Sequence, residues 1–294
     1  MLAIGETMAL VTPPSTVRLE HARDMQLRVA GAESTVALYL AEAGRRVAWA
    51  SAVGDDPFGR RILSELAEGG VDTRDVVVDA TARTGLYLKD PQGIRSSVHY
   101  YRDGSAASRL DADYADRLPL GDATLVHFTG ITPALSDECR RFVERIVDRV
   151  SAYPHVHLSF DVNFRPALWS PADAAPLLAA LASRVDIVFV GLDEAEALWG
   201  TSTPDEVRSL LSVPRRLVVK NGPVGATEYR DDAVTFAAAP AVPVVEVIGA
   251  GDAFSAGYLD ALLDSTDSAA ALARGHAFAE RSLSTTSDFV RRAL

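Results

Sequence analysis

Residues 249–252 read Gly-Ala-Gly-Asp, and those types in that order can handle a phosphate. Small residues let backbone N–H groups approach an anion closely, and a helix N-terminus adds partial positive charge. Ala253–Leu263 follows with helical periodicity. A carboxylate beside an anion-binding turn is an odd companion unless it takes a proton. The pairing suits phosphoryl transfer: amides of the turn stabilise charge on the transferred group, and Asp252 deprotonates an attacking hydroxyl. The competing reading is that Asp252 caps the helix, as Asp often does.

Other polar clusters sit where they could share that site. Asp161-Val-Asn163-Phe-Arg165 ends a predicted strand. Alternation puts its three polar residues on one side of an extended chain, and such groups suit a site better than a core. In Tyr100-Tyr101-Arg102, an arginine beside aromatics can pair bidentately with a carboxylate, or it is a surface cation. Gly31-Ala32-Glu33-Ser34-Thr35 precedes a helix, with Ser34 or Thr35 as its N-cap, and Gly31 allows close approach. Lys220-Asn221-Gly222-Pro223-Val224-Gly225 follows a strand, and its glycines suit a phosphate-facing turn. Glu194 lies at the start of a short helix, where it is either a site carboxylate or a surface charge.

The elements that would position these groups alternate along the chain. Predicted strands are 2–5, 47–53, 125–128, 157–162, 187–190, 217–220 and 242–248. Predicted helices are 34–43, 59–68, 136–150, 172–181, 204–211, 253–263 and 271–282. Strands separated by such helices indicate an α/β fold with a mostly parallel sheet covered on both faces. Ligands then bind beyond the carboxyl ends of the strands. Two stretches break the rhythm. Residues 17–30 are extended, and 85–101 read as a hairpin turning at Asp90-Pro91-Gln92-Gly93. We expect one domain over 1–294, with a small β-sheet lid from about 12–30 and 84–104.

Composition narrows the function. Net charge is −11, which argues against a nucleic-acid partner. One cysteine, Cys139, excludes an intrachain disulfide and a cysteine metal cluster. No uncharged apolar run is long enough for a membrane span, and no signal peptide is visible, so the expected compartment is the cytoplasm. Lys89 and Lys220 are the only lysines, and neither follows a glycine, so a Walker A loop is absent.

Gly249-Ala250-Gly251-Asp252 resembles the signature of the ribokinase-like (PfkB) carbohydrate kinases. Gly31–Gly59 resembles the family's first signature. Tyr101-Arg102-x-Gly104-Ser-Ala-Ala-Ser108 resembles a run in the branch acting on 2-keto-3-deoxygluconate. The resemblance implies a ribokinase-like three-layer αβα sandwich and ATP-dependent phosphorylation of a sugar hydroxyl. The expected substrate is 2-keto-3-deoxygluconate, converted to its 6-phosphate; the alternatives are a fructokinase-like activity or a non-catalytic binding member. It implies Asp252 as general base and Gly249, Ala250 and Gly251 as the anion hole. It places Gly31, Thr35, Tyr87, Tyr101, Arg102 and Arg165 at the acid sugar. Asn163, Lys220, Gly222, Gly225 and His276 join Gly249 and Gly251 at ATP. Glu194 would support Mg2+ through water, and Asp288 would make a late substrate contact. Unpaired lid edges and their tyrosines imply a homodimer formed through the lid.

Overall fold

The computed structural model describes residues 1–14, 17–92, 95–285 and 289–290. Among them, nine strands form one sheet. Their spatial order is Ala233–Ala238, Gly225–Arg230, Arg216–Asn221, Ile187–Gly191, His157–Asp161, Leu125–Thr129, Leu2–Ile4, Val47–Ala50 and Val71–Asp72. From Arg216–Asn221 to Val71–Asp72 every pairing is parallel; the first two strands are antiparallel additions at one edge.

Side-chain alternation fills both faces. Leu217 and Val219 join one core cluster while Val218 joins the other; Val188 and Val190 are likewise split from Ile187 and Phe189. Phe142, Ile146 and Leu178 bring the helices Asp137–Val150 and Pro171–Ala182 onto the first face. Val36, Leu40, Leu259 and Leu272 bring Ala32–Glu42, Ala250–Leu263 and Ser268–Leu283 onto the second. A strand apolar on both faces is stable only under helices on each side, which gives the three-layer αβα sandwich.

A separate four-stranded sheet has the order Gln26–Ala30, Met8–Thr12, Leu86–Gln92, Arg95–Tyr101. Its inner face clusters Met8, Leu10, Ala30 and Tyr87 with Tyr100. The last two strands form the expected antiparallel hairpin, but Asp90, Pro91 and Gln92 do not turn: they continue the first strand and pair with Ser97, Ser96 and Arg95, and Gly93 lies outside the described residues.

Several expectations are corrected. Met8–Thr12 starts the small sheet earlier than residue 12, and within 17–30 only Gln26–Ala30 is strand. Residues 47–53 are two strands, because after Ser51 the chain leaves the main sheet and Ala52–Gly54 pairs with Val77–Asp79. Residues 242–248 are not a strand. Pro240 and Pro243 lack the N–H a ladder needs, and Val244, Val245 and Val247 are exposed. Neither Ser34 nor Thr35 is an N-cap: the helix already begins at Ala32, and Gly31 is its cap residue.

Candidate active site

Most helices begin on a side chain that accepts from the first turn. Asp56, Asp111, Ser136, Ser170, Thr203 and Asp267 all do this. Three begin on glycine instead: Gly31, Gly191 and Gly249. These three starts lie near the carboxyl ends of the parallel strands, where ligands bind in open sheets. The helix starting at Gly191 has its cap supplied by Glu194, which accepts from the Gly191 N–H at 3.0 Å.

Gly249 sits at φ 84°, a left-handed conformation open to glycine, and the helix runs from Ala250 to Leu263. Asp252 is therefore the third residue of the helix, and the cap position is already filled by Gly249. Its carboxylate accepts from Asn163 Nδ2 at 3.2 Å. First-turn amides have no acceptor within their own helix, so the turn offers donors and partial positive charge beside a carboxylate. A Cβ added to Gly251 would lie 3.5 Å from Lys220 Nζ, so an ammonium stands against the same turn.

Lys220 donates to Asp161 Oδ2 at 2.6 Å, and Ser255 Oγ donates to that oxygen at 3.1 Å. Burial works against the charge on Lys220, but Asp161 and Glu194 outweigh it and hold its pKa above the usual lysine value. Burial, reinforced by Asp161, raises the Glu194 carboxyl above the usual range. Asp161 Oδ1 and Asn163 Oδ1 are buried and have no hydrogen-bond partner. Hard oxygens in that state suit a divalent cation or phosphate-borne water.

Asn163 has φ 42°, so the extended run ends there. Alternation therefore fails to carry Arg165 to the side of Asp161 and Asn163. Arg165 is on the rim, 40% exposed in its side chain, with Nη1 3.6 Å from Glu194 Oε1.

At the other end of the site, Gly31 is packed so closely that an added Cβ would lie 2.6 Å from Glu6 O. Thr35 is buried in that helix. Tyr87 faces inward and contacts Tyr100 at 5.6 Å between ring centroids. Tyr101 is 61% exposed, on the opposite face of its strand from Tyr100, so the structure does not bring it to the site. Tyr100 occupies the inward position instead. Arg102 is buried under Tyr100 and paired with Glu6, which also accepts from Ser105 Oγ at 2.6 Å. Its fork is thus partly engaged within the protein, although Nε keeps no partner.

Glu33 was not foreseen. It is 1% exposed, and its Oε1 accepts from the Thr129 N–H at 3.2 Å and from Thr129 Oγ1 at 2.8 Å. Gly5 leaves room for it, since a Cβ there would lie 2.1 Å from Glu33 Cδ. Burial pushes its carboxyl up to about 7. Among helix-forming neighbours the residue reads as a surface glutamate; the glycine that accommodates it is distant in sequence.

On the nucleotide side, Gly222 lies in the turn after Lys220. Gly225, at φ 143°, begins the next strand where a Cβ would lie 2.3 Å from Ala237 O. His276 Nε2 donates to that same carbonyl at 3.1 Å, and burial lowers its pKa. Gly225 and His276 are thereby brought together. Asp288 lies outside the described residues.

A mostly parallel sheet under two helix layers, with a small separate sheet and a glycine-started helix presenting a carboxylate at the strand ends, defines a ribokinase-like phosphotransferase. Residues 1–288 match the pfkB family carbohydrate kinases. The chain is 36% identical over 270 residues to the 2-dehydro-3-deoxygluconokinase of Thermoproteus tenax, covering 89% of this chain and 81% of that one. It is 35% identical over 287 residues to the enzyme of the same name from Bacillus subtilis, covering 94% and 87%. The crystal structure of a PfkB protein from Polaromonas sp. JS666 superposes with a TM-score of 0.89 at 35% identity, covering 96% of this chain and 94% of that one. The chain belongs to the pfkB family of carbohydrate kinases.

Proposed function

We propose that this chain is a cytoplasmic, ATP-dependent kinase of the acid sugar 2-keto-3-deoxygluconate (2-dehydro-3-deoxygluconate), forming the 6-phosphate. One observation carries the reading: Asp252 is fixed by Asn163 at a helix start that also faces the Lys220 ammonium. A base and an anion site are thus adjacent.

The primary hydroxyl of the sugar gives its proton to Asp252. Its oxygen forms a bond to the γ-phosphorus as the bond to the ADP oxygen breaks. Amides of the Gly249–Gly251 turn and Lys220 stabilise the charge on the transferred group. ATP runs from this turn along Lys220–Gly225 toward His276. Tyr87, Arg102 and Arg165 orient the sugar, with Gly31 and Thr35 at its floor.

Mg2+ fits the residues present. Asp161 and Asn163 carry unpartnered buried oxygens, and Glu194 lies beside Lys220 in the same charge cluster. Among the described residues no group of three or more His, Cys, Asp or Glu could hold a metal by itself; Mg2+ commonly binds one or two carboxylates together with substrate phosphates. Bound there, it would neutralise phosphate charge.

A second reading, a neutral-sugar kinase, is favoured by one feature: Arg102 is already paired with Glu6. The small sheet closes over the sugar, and its outer strands join two copies in a dimer.

The test is ATP consumption with 2-keto-3-deoxygluconate and with fructose, using wild type and Asp252→Asn. We expect turnover with the acid sugar, reduced about 100-fold or more by Asp252→Asn while sugar binding survives. Preference for fructose would establish the second reading. A variant within a few-fold of wild type would remove Asp252 as base.

A further inference from the structure

Both lysines of the chain are spent on buried carboxylates. Lys220 belongs to the site above. Lys89 lies in the small sheet, on the strand Leu86–Gln92, and is 3% exposed. Its ammonium donates to Glu246. From the neighbouring strand, Ser96 Oγ donates to the other oxygen of that carboxylate at 3.3 Å. Two strands of the small sheet therefore grip one side chain that lies just ahead of Gly249 in the chain.

On its other side the same segment is tied to the nucleotide half. The amides of Val245 and Glu246 donate to Leu283 O at 2.8 and 3.5 Å, at the end of the helix Ser268–Leu283. Apolar packing contributes little here, because Val244, Val245 and Val247 are 48%, 48% and 58% exposed. A buried ion pair adds little stability over an apolar pair of similar size, and fixing one arrangement among several is its best-attested use. What this pair can fix is the position of the small sheet relative to the segment that delivers the anion turn.

We propose that Lys89 and Glu246 are positioning residues for phosphoryl transfer. Through them, the sheet over the sugar sets the placement of Gly249 and Asp252. The inference rests on the sugar-kinase reading. Neither residue touches a reacting atom. With the sheet over the sugar, Lys89 and Ser96 hold Glu246 and thereby steady the turn three residues later in its working position.

The test uses the full chain with 2-keto-3-deoxygluconate and ATP. Lys89→Met leaves Glu246 buried without its cation. We expect kcat to fall about tenfold or more while the sugar KM stays within about twofold, since the sugar contacts remain. Lys89→Arg should recover most of the lost kcat. The double variant Lys89→Met/Glu246→Leu removes both charges together, so its melting temperature should stay near that of wild type while kcat remains low. Wild-type kcat in Lys89→Met or in the folded double variant overturns the proposal. A measurement on the unaltered protein covers the case of variants that do not fold: adding the sugar without ATP should slow hydrogen exchange in residues 244–251. No slowing there overturns the proposal as well. Failure of the sugar-kinase reading looks different, because wild type would then phosphorylate no sugar before any variant is made.

Discussion

Glu33 shows how much one residue of this site does with a charge it holds reluctantly. Its carboxyl is buried in the notch left by Gly5 and bonded to Thr129, close enough to Asp252 for each charge to raise the other's cost. Burial raises its pKa from 4.5 to about 7. The consequence for stability has a definite sign. Below about 4.5 the group is neutral folded and unfolded, and its full contribution is present. As pH climbs, the unfolded chain ionises first, so stability is lost, and the loss is complete once pH passes about 7. The size is on the order of 3 kcal/mol. Glu33→Gln keeps the shape and the hydrogen-bonding oxygen but does not titrate. Melting temperatures of wild type and variant should therefore diverge between about pH 5 and 7.5, wild type falling relative to Glu33→Gln. Parallel curves would place the carboxyl at its ordinary value.

At the scale of the element, the start of the helix Ala250–Leu263 has two glycines with different demands, Gly249 as its cap residue and Gly251 in its first turn. Gly249 has φ 84°, so Gly249→Ala should cost about 1–2 kcal/mol and lower the melting temperature. Gly251 is helical, and a Cβ there meets only Lys220 Nζ at 3.5 Å. Gly251→Ala should keep or raise the melting temperature, because Ala is the better helix former. It should raise the KM for ATP, because the methyl group stands in the space between ammonium and phosphate. Equal stability loss in both variants would remove this distinction. The same helix shows what a sequence discloses. Its small residues and its Asp pointed to an open turn at a helix start, which is there, and the largely apolar strands announced the parallel sheet. Residues 242–248 misled, because their valines have a strand's composition while Pro240 just before them, Pro243 within them and solvent decide their conformation. Tyr101 and Tyr100 differ by one residue and so by one face, which a motif aligned by letters does not resolve. The pairs Glu6–Arg102 and Lys89–Glu246 and the fit of Glu33 over Gly5 join distant segments and became visible only with the fold.

At the scale of the molecule, the outer strands of the small sheet among the described residues are Gln26–Ala30 and Arg95–Tyr101, the second carrying the exposed Tyr101. Outer strands are ordinarily paired or covered, so the proposed dimer would pair small sheets and bury Tyr101. Sedimentation at micromolar concentration should give a species near twice 31.4 kDa, and Tyr101→Lys should shift it toward the single-chain mass. A species at the single-chain mass in wild type removes the dimer. The shortage of lysine has a further consequence, in the protein's reactivity. With Lys89 at 3% and Lys220 at 17% side-chain exposure, the folded chain offers amine-selective acylating reagents almost nothing beyond its α-amino group. Exposing Lys89 to reagent would require the small sheet to move away from residue 246. The rate of acylation at that one nitrogen, followed by peptide mass spectrometry, should fall when 2-keto-3-deoxygluconate is present, which would make this buried side chain a clock for movement of the small sheet.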